Sequence, residues 1–222
     1  MQGQAKGGTG MGRTLALFDF DGTLIPGDSI VSFVRFARKK GVLSRREYAG
    51  ILFCTVKYLL GGLTDGEMKT RSLRFLRSLP REEGEALAGD FVASVLMPSV
   101  YRDGKAALQK HRDRGDLTVL VSASTDNYMR LVAEALGFDA VLCTELTENF
   151  AVESNCKGPE KARRVKEWLA QNGVEADWAA SYAYGDSKSD ESMLRLCGHP
   201  VLVNPRKALK KRMPEGNIVS WR

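Results

Sequence analysis

Two carboxylates, Asp19 and Asp21, stand two residues apart where the apolar run Leu15-Ala16-Leu17-Phe18 ends and Gly22 turns the backbone away. Such a run, bounded by turn residues, reads as a buried parallel strand whose carboxyl end opens onto the crevice where α/β sheets bind ligands. Carboxylates beside an apolar strand repel each other and resist desolvation unless a proton or a cation lies between them. The pair therefore points to a hard metal ion, with oxygen ligands from one side chain and from exposed turn backbone. An ordinary acidic turn after a strand is the alternative, because Asp-Gly turns are common.

Three later segments bear on that choice. Val119-Leu120-Val121 runs into Ser122, and Ala183-Tyr184-Gly185 runs into Asp186, with Asp190 four residues on. Between them Lys161 opens an amphipathic stretch in which Val165, Trp168 and Leu169 form an apolar stripe, leaving the first turn free to face a site. The stripe counted from Lys157 contains Lys161 and Arg164 and is poorer, so Lys161 is preferred as a site cation and Lys157 as its neighbour. A solvated lysine is the alternative for either, as a helix cap is for Ser122 and a plain strand-to-helix turn for Asp186.

In this order, and each at a strand end or helix start, the four segments resemble the four motifs of the haloacid dehalogenase superfamily, in its phosphoserine-phosphatase-like branch. The resemblance runs from Asp19 to about Asn204. It implies that Asp19 attacks phosphorus to give an aspartyl phosphate, and that Asp21 protonates the leaving oxygen and then activates water. It implies Mg2+ held by the Asp19 carboxylate, the Asp21 backbone carbonyl and Asp186, with Asp190 orienting that shell. Ser122, Gly22 and Thr23 would bind phosphate, and Lys161 would supply the countercharge. Where the branch commonly has two glycines after the serine, this chain has Ala123 and Ser124, which weakens phosphoserine in particular. The branch's amine-binding glutamate has its comparable place at Asp28, which equally suits the cap of a helix starting near Ser29; its carboxylate-binding arginine would be Arg71 or Arg74.

The expected activity is thus Mg2+-dependent hydrolysis of a small phosphorylated metabolite. Phosphotransfer to an alcohol through the same intermediate is a second enzymatic reading. A basic nucleic-acid-binding module on the same fold is a third, suggested by a net charge of +6 and a pI near 9.2. The basic residues are spread along helical stretches with acidic helices between them, and no aromatic-basic interleaving appears, so nucleic acid is not the expected partner. Four unpaired-looking cysteines suit a reducing compartment, and His111 and His199 alone give little material for a zinc site. The cytoplasm is the expected location, with no membrane partner and an oligomeric state left open.

These residues need elements to position them. A glycine-rich tail is expected over residues 1–13; its Gly8, Gly10 and Gly12 precede the first strand and so are not a nucleotide-binding loop. Four helices are expected within residues 28–97, a helical cap domain: one through Ile30, Phe33, Val34 and Ala37, then about 48–60, 65–79 and 81–97. The second is too short, and too interrupted by Lys57, to span a bilayer. Residues 14–27 and 98–222 are expected to form the α/β core domain, a three-layer Rossmann-like parallel sheet. Its later strands are placed at 117–121, 140–143, 181–184 and 201–203, with a hairpin at 146–153 and an edge strand at 218–221.

Overall fold

The computed structural model describes residues 12–222, so residues 1–11 of the expected tail, with Gly8 and Gly10, lie outside the described residues. Arg13 is tied in, its amide donating to Glu175 O at 2.7 Å. Strand β1 (Leu15–Phe18) is buried throughout. Ala16 and Phe18 enter one apolar cluster and Leu15 and Leu17 another, which is why this strand reads as a continuous apolar run.

Five helical segments follow: α1 (Ser29–Lys39), α2 (Arg45–Leu59), α3 (Asp65–Leu73), α4 (Arg81–Phe91) and the single turn α5 (Met97–Ser99). Capping boxes start two of them, Ser44 with Glu47 for α2 and Thr64 with Glu67 for α3. The chain then alternates through α6 (Arg102–Asp113), β2 (Leu117–Thr125), α7 (Asp126–Leu136), β3 (Ala140–Thr144), α8 (Pro159–Gln171), β4 (Tyr182–Gly185), α9 (Glu191–Leu194), β5 (His199–Val203), α10 (Lys207–Arg212) and β6 (Asn217–Val219). The six strands form one parallel sheet in the order β3-β2-β1-β4-β5-β6. The winding direction reverses between β1 and β4, so their carboxyl ends flank the crevice where such sheets bind ligands. This is the expected Rossmann-like α/β architecture.

One apolar cluster extends from a sheet face into the inserted helices. Phe33 of α1 and Phe91 of α4 both pack on Tyr128 of α7, with ring centroids 5.4 Å apart in each case. The other cluster lies beneath α8 on the opposite face.

Several elements depart from the sequence reading. The third helix stops at Leu73 and tightens to a 3₁₀ turn over Arg74–Ser78 ahead of Pro80. The fourth widens to a π-turn over Val92–Leu96, where Pro98 supplies no amide to the Ser94 carbonyl and crowds it. The hairpin at 146–153 is reduced to a single antiparallel bridge between Leu146 and Val152. Strand β2 runs on to Thr125, past the expected end at Val121, through a register shift against β3. Among the described residues no helix is long and apolar enough to cross a membrane.

Candidate active site

Asp19 follows β1 directly, its amide donating to Tyr184 O of β4 at 3.0 Å. The carboxylate is buried and fully engaged. Oδ1 accepts from Lys161 Nζ at 2.5 Å and Oδ2 from Thr23 Oγ1 at 2.9 Å. Lys161, in the first turn of α8, also donates to Asp190 Oδ1 at 2.7 Å. The remaining oxygen of Asp190 accepts from the Ser187 amide at 3.0 Å and its hydroxyl at 2.9 Å. Lys157, the rival lysine, turns instead to Asp65 Oδ1 at 2.8 Å.

Asp186 lies just past β4 and receives Arg206 Nε on Oδ2 at 2.8 Å. Gly22 makes this approach possible. Its φ is +84°, and a Cβ there would lie 2.5 Å from Asp186 Oδ2, so only glycine fits the turn. Asp21 is bound by another set of donors. Ser29 N reaches Oδ1 at 2.8 Å, Ser29 Oγ reaches Oδ2 at 3.1 Å, and Ser124 Oγ donates to the same Oδ2. Ser29 in turn touches Tyr128 OH at 3.0 Å, which ties Asp21 to the packing of α7.

The electrostatics follow from burial. Desolvation, reinforced by Asp190 and opposed by Lys161, pushes the Asp19 carboxyl up to about 8. Asp21 is pushed up to about 6 by burial and by Asp28, against the hydrogen bonds from Ser124 and Ser29. Asp186 is raised by burial and Asp190, with Arg206 opposing. Burial works against the Lys161 ammonium, yet Asp19 and Asp190 together hold it charged. The pocket thus carries more buried negative charge than its one buried lysine offsets. Oxygens of Asp19, Asp186 and Asp190 lie within 4.8 Å of one another, an all-oxygen donor set that fits a hard divalent cation. Asp190 is held on both oxygens by Lys161 and Ser187, as Asp19 is by Lys161 and Thr23, while Asp186 receives a side-chain donor on one oxygen only among the described residues.

These groups open into a cavity of about 380 Å³. Its sheet side is formed by Asp19, Asp21, Ser124, Lys161, Asp186 and Arg206, and its helical side by Asp28, Tyr58, Asp65 and Lys69. Ser122 is fully buried, its Oγ accepting from Ser124 N at 3.0 Å, and the wall at this point is made by Ala123 and Ser124. The Gly22 and Thr23 amides, read as phosphate donors, instead bond within the turn to Ile25 O and Phe20 O. The Phe20 and Asp21 amides have no hydrogen-bond partner among the described residues. Asp28 caps α1 by accepting from Val31 N at 3.0 Å and also lines the cavity. Arg71 and Arg74 line a separate concavity with Cys54, Phe75 and Arg77, away from Asp19, Asp21 and Asp186.

Lys69 was missed in the sequence. Its Nζ donates to Ala123 O at 2.5 Å and Asn155 Oδ1 at 2.6 Å, and burial and Lys157 push it down to about 8. The signal was the i,i+4 spacing of Asp65 and Lys69, which puts a carboxylate and an ammonium on one helix face. Ser29, Ser124 and Arg206 carried no comparable mark.

Residues 16–195 match the sequence model of the haloacid dehalogenase-like hydrolases, and the chain belongs to that family. It is a hydrolase whose relatives include proteins named as phosphatases. The "inhibition of morphological differentiation protein" of Streptomyces azureus is 29% identical over 209 residues, covering 90% of this chain and 74% of that protein. Histidinol-phosphatase of Neisseria meningitidis is 29% identical over 216 residues, covering 91% and 96%. A Bordetella pertussis protein of unknown function superposes with a TM-score of 0.84 at 26% identity, over 94% of this chain and 99% of that one.

Proposed function

We propose that the protein hydrolyses a small phosphomonoester through an aspartyl-phosphate at Asp19. The observation that carries the reading is the Lys161 bridge between Asp19 and Asp190, 2.5 and 2.7 Å long and buried beside Asp186. It supplies an aligned carboxyl at the carboxyl end of the central strand, with a buried cation opposing the desolvation that raises it. The relative named histidinol-phosphatase supports the phosphomonoester class.

In this reading an oxygen of Asp19 forms a bond to phosphorus as the ester P–O bond breaks. The Asp21 carboxyl gives its proton to the departing alkoxide, for which a carboxyl raised to about 6 is suited. Asp21, now ionised, takes a proton from water as that water attacks the aspartyl phosphate, releasing inorganic phosphate and restoring Asp19. Lys161 holds Asp19 in place and offsets phosphate charge, while Asp190 positions Lys161. Mg2+, held by the Asp19 carboxylate, the Asp21 carbonyl and Asp186, would neutralise the phosphoryl oxygens.

The test is phosphate release from a generic aryl phosphate by wild type and Asp19→Asn, with Mg2+ and with chelator. Release by the wild type that needs Mg2+ and is lost in Asp19→Asn is the expected result. Equal rates for the two proteins would end the proposal, and a phosphorylated alcohol formed when an acceptor is added would redirect it to phosphotransfer.

A further inference from the structure

Helix α2 presents two unlike faces. Its inner side carries Ile51, which is buried, and Tyr58, which lines the catalytic cavity and donates to Asp65 Oδ1 at 2.5 Å. Its outer side carries Leu52, Phe53, Val56 and Leu59, continued by Leu60, at the i, i+1, i+4, i+7 and i+8 spacing of one helical stripe. Phe53 is 72% exposed, Leu59 75% and Leu60 82%, and the other two are more than half exposed. These five include the most exposed large apolar side chains among the described residues, and a stripe this continuous marks a contact surface.

The charges around the stripe decide what it meets. Arg45 and Arg46 at its amino end and Lys57 near its carboxyl end are all exposed. The one acid within the helix, Glu47, is tied to Ser44 in the capping box, and Glu67 of α3, the acid whose field Lys57 reaches, is tied to Thr64. A second copy of α2 fits this rim poorly. Antiparallel pairing would bring Arg45 and Arg46 to the end that holds Lys57, and parallel pairing would set each arginine against its own duplicate. An anionic lipid surface matches both the apolar stripe and its cationic margin.

We propose that α2 docks the protein on anionic membrane surfaces, lying in the headgroup plane with Leu52, Phe53, Val56, Leu59 and Leu60 turned toward the acyl chains. This is a peripheral arrangement and requires no spanning segment. It does not depend on the reaction proposed above. Because the same helix carries Tyr58 on its inner side, the docked surface and the catalytic cavity share one rigid element.

The test is co-sedimentation of the full chain with vesicles of phosphatidylcholine alone, or of equal parts phosphatidylcholine and phosphatidylglycerol. The wild type should pellet with the mixed vesicles and be released by salt. Phe53→Ser and Leu60→Ser should each weaken partitioning about tenfold, and Arg45→Gln or Arg46→Gln about fivefold. All four should keep the wild-type circular-dichroism spectrum and melting temperature, which shows that they are folded. Failure of the wild type to pellet, or equal pelleting by Phe53→Ser, would overturn the proposal. So would a concentration-dependent doubling of mass in sedimentation equilibrium that Phe53→Ser abolishes, which would assign the stripe to a second copy.

Discussion

The two walls of the cavity are built differently. On the sheet side, Asp19, Lys161, Asp186 and Asp190 are all buried, and three of the four are held by two or more side-chain or backbone donors or acceptors. On the helical side, Tyr58, Asp65 and Lys69 are half-buried, and Lys157, which pairs with Asp65, comes from the loop before α8. The difference separates labour. The carboxyls and their lysine sit where desolvation and the sheet fix them, while the groups facing them are half-buried on the inserted helices.

Substitutions on each wall would break or sharpen this contrast. The largest expected effect is on the sheet side, where Asp19→Asn should lower turnover of an aryl phosphate by about 10⁴-fold or more, read by phosphate release. Lys161→Met should lose both turnover and stability. It leaves Asp19 and Asp190 buried without their cation, at a cost of about 3–5 kcal/mol, read as a fall in C_m without a change in m. A stable Lys161→Met variant would show that the buried pair is not what holds this wall together.

Gly22→Ala comes next. It must strain a φ of +84° and push a methyl group onto Asp186, and about 1–3 kcal/mol of lost stability is expected, together with a higher Mg2+ concentration for half-maximal activity. On the helical side the effects should be smaller and of another kind. Lys69→Met should change KM by about tenfold with kcat within a factor of a few, measured on a panel of phosphorylated metabolites. An equal loss in kcat would move Lys69 to the catalytic side of the division.

The smallest effect lies outside both walls. His111 is buried between Asp116 and Tyr184, and burial pushes its imidazole below the usual value. The unfolded chain takes up this proton near pH ~6.5 while the folded one does not. This stabilising contribution is therefore complete above that pH and fades as pH falls toward the folded value. The difference in melting temperature between wild type and His111→Gln should narrow as the pH falls below about 6.5.

The sheet side was legible in the sequence because a strand end and a hydrophobic period leave local marks. The run before Asp19, the one before Asp186 and the stripe beneath Lys161 each fixed a position within a few residues. The helical side was not. The resemblance offered Arg71 or Arg74 if the helix register permitted, but α3 and the turn after it aim both into another concavity while α3 presents Asp65 and Lys69 to the cavity, and the rotation of a helix about its axis is set by packing partners remote in sequence. Ser122 and the Gly22 and Thr23 amides show a finer limit. Their chemistry was readable, but whether a hydroxyl or an amide is already satisfied by a neighbour depends on turn geometry that residue type does not specify. The segment at about 48–60 was read as a helix too short to span a bilayer, while the exposure of its apolar side emerged only from the packing of α1 and α3 around it.

Asp19 and the lysine that neutralises it are separated by 142 positions along the chain. During synthesis from the amino terminus, β1 and the helices after it leave the ribosome long before α8 exists. A nascent chain therefore carries Asp19 without its lysine until α8 has been made, and a carboxyl buried without that cation makes early closure of the central strand unfavourable. Synthesis of α8, rather than collapse of the segments before it, is the event that allows this centre to assemble.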